Sequence, residues 1–290
     1  MRKQHIILTS MLFAAATLAS AQTLADYANA GDAAMQAGKF DEAIENYVKA
    51  QKLDVENTDY LTAMQLGTAY QQVGDQQKAG DAFKASLMKG NPDGGVITNM
   101  KNAYEAAGCN DCVKAAYIEI KEKNPAQTIA MDRKLYFIYA KEKNNADALK
   151  CALSVLSDPD IQEQEQMQYY KRAAQLYLNL GQADSAEVYY DKVLAITPDD
   201  ADVHKALGLG LYNTIQKVTA SAQATYNAKK SDTRNASHYY AEMQTATKRA
   251  TLNYGPKAIQ HLQVANKQLN DPQLSQIIAK LQQNIAAYKK

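Results

Sequence analysis

A glycine, a small residue, an aromatic ring and a closing proline step recur about every 34 residues along most of this chain. The pattern is clearest between Gly181 and Pro198, where Gly181, Ala186, Tyr190 and Thr197-Pro198 fall in that order. A period of this length makes each unit one supersecondary element. Such an element cannot bury its own apolar face, so neighbours have to stack on it. The glycine suits a helix end that needs a left-handed residue, and the proline suits a stop beyond the next helix. The small residue lets two helices approach while the aromatic, four residues on, lies on the same face.

Five units follow this register. The first has Gly38, Ala43, Tyr47 and Ala50 and closes near Asp54-Val55. The second has Leu66-Gly67, Tyr70, Gly74, Ala79, Phe83 and Asn91-Pro92. The third has Tyr104, Gly108, Tyr117 and Asn124-Pro125. The fourth has Leu135, Tyr139, Ala148 and Asp158-Pro159, with Lys143-Asn144-Asn145 where the others turn at glycine. The fifth has Ala174, Tyr177, Gly181, Ala186, Tyr190 and Thr197-Pro198. The chain has 19 tyrosines and no tryptophan, and tyrosine fills space between helices while its hydroxyl finds water or an acceptor.

Residues 22–200, with five units in register, resemble the tetratricopeptide repeat family. The resemblance implies an all-α solenoid, a right-handed superhelix of antiparallel helical hairpins. It also implies that the first helix of each hairpin lines a concave groove for a partner segment. A sixth, atypical unit spans 201–271. It opens with Val203, Leu207-Gly208 and Leu211 but closes only at Ala258, Leu262, Ala265 and Asn270-Asp271-Pro272, about 38 residues late. The extra segment keeps helical spacing, with stripes at Ile215, Val218, Ala222, Thr225 and at Tyr240, Met243, Thr247, Ala250, Tyr254. It predicts two elongated helices joined near Lys229–Asp232, with a kink at Gly255-Pro256. Residues 272–290 predict a capping helix with Leu274, Ile277, Ile278, Leu281 and Ile285 inward.

The N-terminus sets the compartment. Met1-Arg2-Lys3-Gln4-His5 precedes an apolar run from Ile6 to Ala16 and the small-residue site Ala19-Ser20-Ala21. That order predicts a signal peptide over 1–21, cleaved near Ala21. Cleavage removes Arg2 and Lys3 and no acid, so the net charge moves from +1 to −1. A mature chain near neutrality has no general pull toward nucleic acid. The expected place is outside the cytoplasm, periplasmic or associated with the outer envelope, as an exported bacterial member of the family. No second apolar stretch reaches the roughly 20 residues of a membrane span.

Chemistry is sparse. Cys109-Asn110-Asp111-Cys112 sits at a helix start, where a thiol pKa falls and disulfide exchange is helped. The readings are a local disulfide, pairing of one of them with Cys151, free thiols, or a thiol-redox function. No βαβ pattern accompanies the pair as it does in redox proteins. A zinc site lacks a fourth ligand, so no metal or cofactor is expected. His204, His238 and His261 read as helix-surface residues, and no nucleophile–base pair stands out, so an enzyme is not expected.

The groove implied by the resemblance supplies the candidate binding residues: Arg133, Phe137, Lys141, Lys171, Gln175, Lys205 and Tyr212. Four cations around two rings favour a carboxylate-bearing or acidic protein segment. The plainer reading is a solvated helix face with ordinary lysines. The expected function is a non-catalytic protein–protein interaction scaffold or assembly factor of the cell envelope. It would use the groove, the long hairpin, or both, and the hairpin also offers a route to self-association. A redox or redox-sensing protein built on Cys109 and Cys112 is the alternative.

Overall fold

A computed structural model describes residues 22–289, and the expected signal peptide lies outside the described residues. Among the described residues the secondary structure is helical, with 13 α-helices and one 3-10 turn, Pro125–Gln127. The helices are α1 Leu24–Gln36, α2 Phe40–Leu53, α3 Tyr60–Gln72, α4 Gln76–Met88, α5 Gly94–Ala106, α6 Asn110–Lys123 and α7 Thr128–Lys141. They continue as α8 Asn145–Leu156, α9 Glu163–Asn179, α10 Ala183–Ile196, α11 Ala201–Lys229, α12 Ala236–Leu269 and α13 Pro272–Lys289. The all-α fold of stacked hairpins, with an elongated C-terminal hairpin and a final capping helix, is the one the repeat pattern implies.

One turn geometry makes the hairpins. In α1–α2 the amide of Gly38 donates to Met35 O at 3.0 Å and that of Lys39 to Ala34 O at 2.9 Å. Gly38 has φ of 69°. These two bonds satisfy carbonyls that the helix end leaves open, and they need a left-handed residue. Gly181 repeats the arrangement between α9 and α10. Between α7 and α8, Lys143 takes the left-handed place at φ of 58°, with the same pair of bonds to Ala140 O and Tyr139 O. The fourth repeat therefore keeps the turn without its glycine.

The chain packs as two compact units that divide within α6, after Val113. In the first, α1 to α5 pack in sequence. Its core holds Tyr47, Phe83, Leu87, Met100 and Tyr104, all at most 2% exposed. Glycines on the first helices let rings of the second helices close onto the backbone. A Cβ at Gly67 would lie 2.7 Å from the Phe83 ring, and one at Gly31 would lie 2.4 Å from the Tyr47 ring. Tyr47 and Tyr104 point their hydroxyls at Asp32 (2.6 Å) and Asp81 (2.7 Å), so each buried ring keeps its polar end satisfied.

In the second unit α7 to α13 pack in chain order, and α11 and α12 make the most extensive pairing. Leu207, Leu211, Leu262, Leu274 and Leu281 form the centre of its core. α11 has 29 residues and α12 has 34, or about 44 and 51 Å at 1.5 Å per residue. α12 runs on through Pro256. The glycine before it admits α13, since a Cβ on Gly255 would lie 2.9 Å from Ile285 Cδ1. Beyond Ile215 and Ala250 the two long helices pack on each other, for example Tyr226 against Tyr240 at 5.6 Å. No residue from 216 to 249 is buried.

Candidate functional site

The first helices of three consecutive hairpins, α7, α9 and α11, line a cleft of about 450 Å³ in the second unit. Tyr136 comes from α7; Gln168, Arg172, Gln175 and Asn179 come from α9; Ala206 comes from α11. Its most distinctive group is Arg172. The guanidinium lies 5.1 Å from the Tyr136 ring centroid, 5.0 Å from Phe137 and 4.6 Å from Tyr169. Three rings hold the cation by their faces while no carboxylate among the described residues pairs with it. Burial pushes the Tyr136 and Tyr169 hydroxyls above their ordinary range, and the Arg172 charge works against that. Phe137 is 55% exposed, so one side of its ring meets Arg172 and the rest faces solvent.

Three of the expected cations are tied to the fold. Arg133 bonds Asp158 through Nη2 and Glu165 through Nε, each at 2.8 Å. Lys171 bonds Asp200 at 2.7 Å, and Lys205 bonds Asp271 at 3.0 Å. Asp158, Asp200 and Asp271 each lie just beyond the second helix of the same repeat as their cation, whereas Glu165 lies on the first helix of the next. The separations are 25, 29 and 66 residues, and the last shortens to the common spacing once the long hairpin is set aside. Asp200 also accepts from the Val203 amide at 3.0 Å and so caps α11. Arg133 holds Asp158 below the usual carboxylate range, and Lys205 does the same for Asp271. These pairs brace each hairpin and leave less free positive charge in the groove than the sequence suggests.

Of the other expected residues, Gln175 lines the cleft, donates to Asn179 Oδ1 at 3.2 Å and accepts from Tyr190 at 3.4 Å. Burial pushes the Tyr190 hydroxyl up to about 12. Lys141 is exposed at the end of α7. Tyr212 is half-buried and packs on the core of the second unit. The cleft thus brings Lys171 and Gln175 together, with Phe137 beside Arg172. The sequence reading missed Arg172, because one helical step separates it from Lys171 and no spacing rule distinguishes the two.

The cysteines resolve simply. Cys109 and Cys112 are disulfide-bonded across the α5–α6 turn. Cys151 is free and buried, and its thiol donates to Asp132 Oδ1 at 3.4 Å. Burial first, then the Asp132 charge, pushes it up to about 12, so it holds its proton and is a poor nucleophile. Asp132 is fully buried, paired with Lys121 at 2.6 Å, and its Oδ2 has no partner. No cluster of three metal-ligating side chains occurs among the described residues.

Two histidines depart from the surface positions expected for them. His204 is buried and His261 half-buried, with their Nδ1 atoms 2.8 Å apart between α11 and α12. His204 Nε2 lies 2.9 Å from Pro198 O, a pure acceptor, so that nitrogen carries the proton. His204 Nδ1 then accepts from His261 Nδ1–H. Burial and the neighbouring His204 lower the His261 pKa. His238 is the exposed one, 3.3 Å from Glu242.

A family model of the tetratricopeptide repeat matches residues 27–57 and 168–200. The first match covers the α1–α2 hairpin and the second covers α9–α10. No curated protein matches the chain. Among solved structures the chain is similar to a tetratricopeptide-repeat protein from Bacteroides fragilis, at 18% identity over 90% of this chain and 99% of that one, with a TM-score of 0.31. It is also similar to one from Parabacteroides merdae, at 16% identity over 90% and 99%, with a TM-score of 0.35. With one matched repeat in each packing unit and the same turn geometry in the hairpins between, the chain carries tetratricopeptide repeats.

Proposed function

We propose that the protein is an exported, non-catalytic interaction scaffold or assembly factor of the cell envelope. It holds segments of partner proteins, acidic ones among them, in the groove of α7, α9 and α11. The observation that carries this reading is Arg172, a half-buried cation stacked on three rings at the wall of a cleft and paired with no acid. A guanidinium already held in place loses little entropy when a carboxylate arrives, and its planar fork suits that ligand. Exposed Phe137 beside it offers an apolar anchor of the kind that dominates protein contacts. Among the described residues no helix is long and apolar enough to cross a membrane.

The test is capture from envelope extracts with the mature chain, residues 22–290, read by mass spectrometry. A reproducible set of proteins is expected. The Phe137→Ala/Arg172→Ala variant should lose it, while Cys109→Ser/Cys112→Ser should keep it. A set that survives the groove variant overturns the groove as the site. Loss with the cysteine variant, together with trapped mixed disulfides on either single variant, overturns the scaffold in favour of thiol redox chemistry. Export has its own readout. The envelope fraction should hold a chain beginning at Gln22, and an uncleaved chain in the cytosol sinks that part of the reading.

A further inference from the structure

The long hairpin and the first unit carry opposite charge. Residues 216–249, the outer part of α11 and α12, hold six Lys and Arg against two Asp and Glu, a net of +4. Residues 22–113 hold seven against thirteen, a net of −6. In the rest of the second unit Arg133, Lys171, Lys205 and Lys257 are each bonded to an acid. On the arm, Lys217, Lys230, Arg234, Lys248 and Arg249 pair with no acid among the described residues. A thin pair of helices therefore bears unrelieved positive charge.

The arm also has an apolar recess. A cleft of about 460 Å³ lies between its helices, lined by Val218, Ala222, Tyr226 and Met243, with Lys217 and Glu242 at its charged positions. Arm-on-arm contact between two copies would bring +4 against +4 and is disfavoured. The complementary feature lies on the acidic unit. Around the connection between α2 and α3, Leu53 at the end of α2 (43%), Val55 in the connection (92%, beside exposed Glu56) and Leu61 in the first turn of α3 (57%) are exposed. Neighbouring large apolar side chains left in water within an acidic unit are what an apolar cleft on a basic arm accommodates.

We propose that the arm of one copy docks on the α2–α3 connection of a second copy, with Val55 entering the arm cleft. The contact joins two different surfaces, so it propagates head to tail unless a ring closes. It stands apart from the groove reading and fails separately from it.

Sedimentation velocity of the mature chain, residues 22–290, tests it across protein concentration at about 0.05 and about 0.5 M NaCl, between which the screening length falls from above about 10 Å to under about 5 Å. Concentration-dependent association is expected, weakening about tenfold or more at the higher salt. Lys229→Glu/Lys230→Glu/Arg234→Glu should be monomeric, and so should Val55→Asp. All four sites are exposed, and unchanged helical circular dichroism verifies folding. Mixed together, the two variants should form a 1:1 dimer and nothing larger, because only one good arm and one good connection remain. A wild-type monomer at every concentration overturns the proposal, as does association that survives either variant. A solution monomer that binds phosphatidylserine vesicles through the arm, and loses them in the triple variant, also overturns it and assigns the arm to anionic lipid.

Discussion

At Lys143 the backbone sits in the left-handed region, with φ of 58°, at the turn where the neighbouring repeats use glycine. The position is held by the two turn bonds to Ala140 O and Tyr139 O, and its side chain is exposed. A residue with a Cβ pays about 1–2 kcal/mol for that conformation. Glycine escapes that cost but has more unfolded-state freedom to lose, worth roughly 0.5–1 kcal/mol. Lys143→Gly should therefore stabilise the chain by about 0.5–1 kcal/mol, a rise of about 2 °C in Tm for a domain of this size. Thermal melting followed by circular dichroism reads the shift. A lower Tm would mean that the lysine stem contributes packing that its exposure does not suggest.

Between helices, the repeat works by fitting a ring onto a bare backbone. Phe83 of α4 covers Gly67 of α3 so closely that a Cβ there would lie 2.7 Å from two ring carbons. Phe83 is fully buried, so the ring has nowhere to retreat. Gly67→Ala should destabilise by about 1–3 kcal/mol through overpacking, despite alanine's better helix propensity. Adding Phe83→Leu should recover part of the loss, a coupling that a urea-unfolding double-mutant cycle measures. Additive losses would show that the two sites do not share the space. The glycine-to-aromatic spacing that creates this contact is local, which is why the hairpins were legible in the sequence. The long hairpin was legible for the same reason, since the helical stripes run through the extra segment. The groove was not. Whether Lys171 faces a ligand or Asp200 depends on an acid 29 residues away, and for Lys205 the acid is 66 residues away across the inserted arm. The His204–His261 contact spans 57 residues, and only the packing of α11 on α12 reveals it.

On the scale of the whole chain, the two units differ in where histidine falls. Residues 22–113 contain no histidine, whereas the second unit contains His204, His238 and His261. Burial, His204 and Lys257 disfavour a proton on His261, and Glu187 favours one. A base with a lowered folded pKa leaves the unfolded state holding more protons, so stability rises with pH. That contribution is complete above the ordinary imidazole value of 6.5 and is lost as pH falls below it. The bracing acids Asp158 and Asp271, held below the usual range by Arg133 and Lys205, remain ionised there. Asp191, whose carboxyl burial pushes up, works in the opposite sense. Hydrogen exchange read by mass spectrometry at about pH 7.5 and 5.5, corrected for intrinsic rates, separates the units without a tryptophan probe. At the lower pH, protection should fall in α11 and α12 around His204 and His261 and hold in α1 to α5. His261→Asn, whose Nδ2 is bonded to Cγ as the imidazole Nδ1 is and keeps a donor toward His204 Nδ1, should flatten the response. Equal losses in both units, or an unchanged response in the variant, would place the pH dependence in groups other than this imidazole pair.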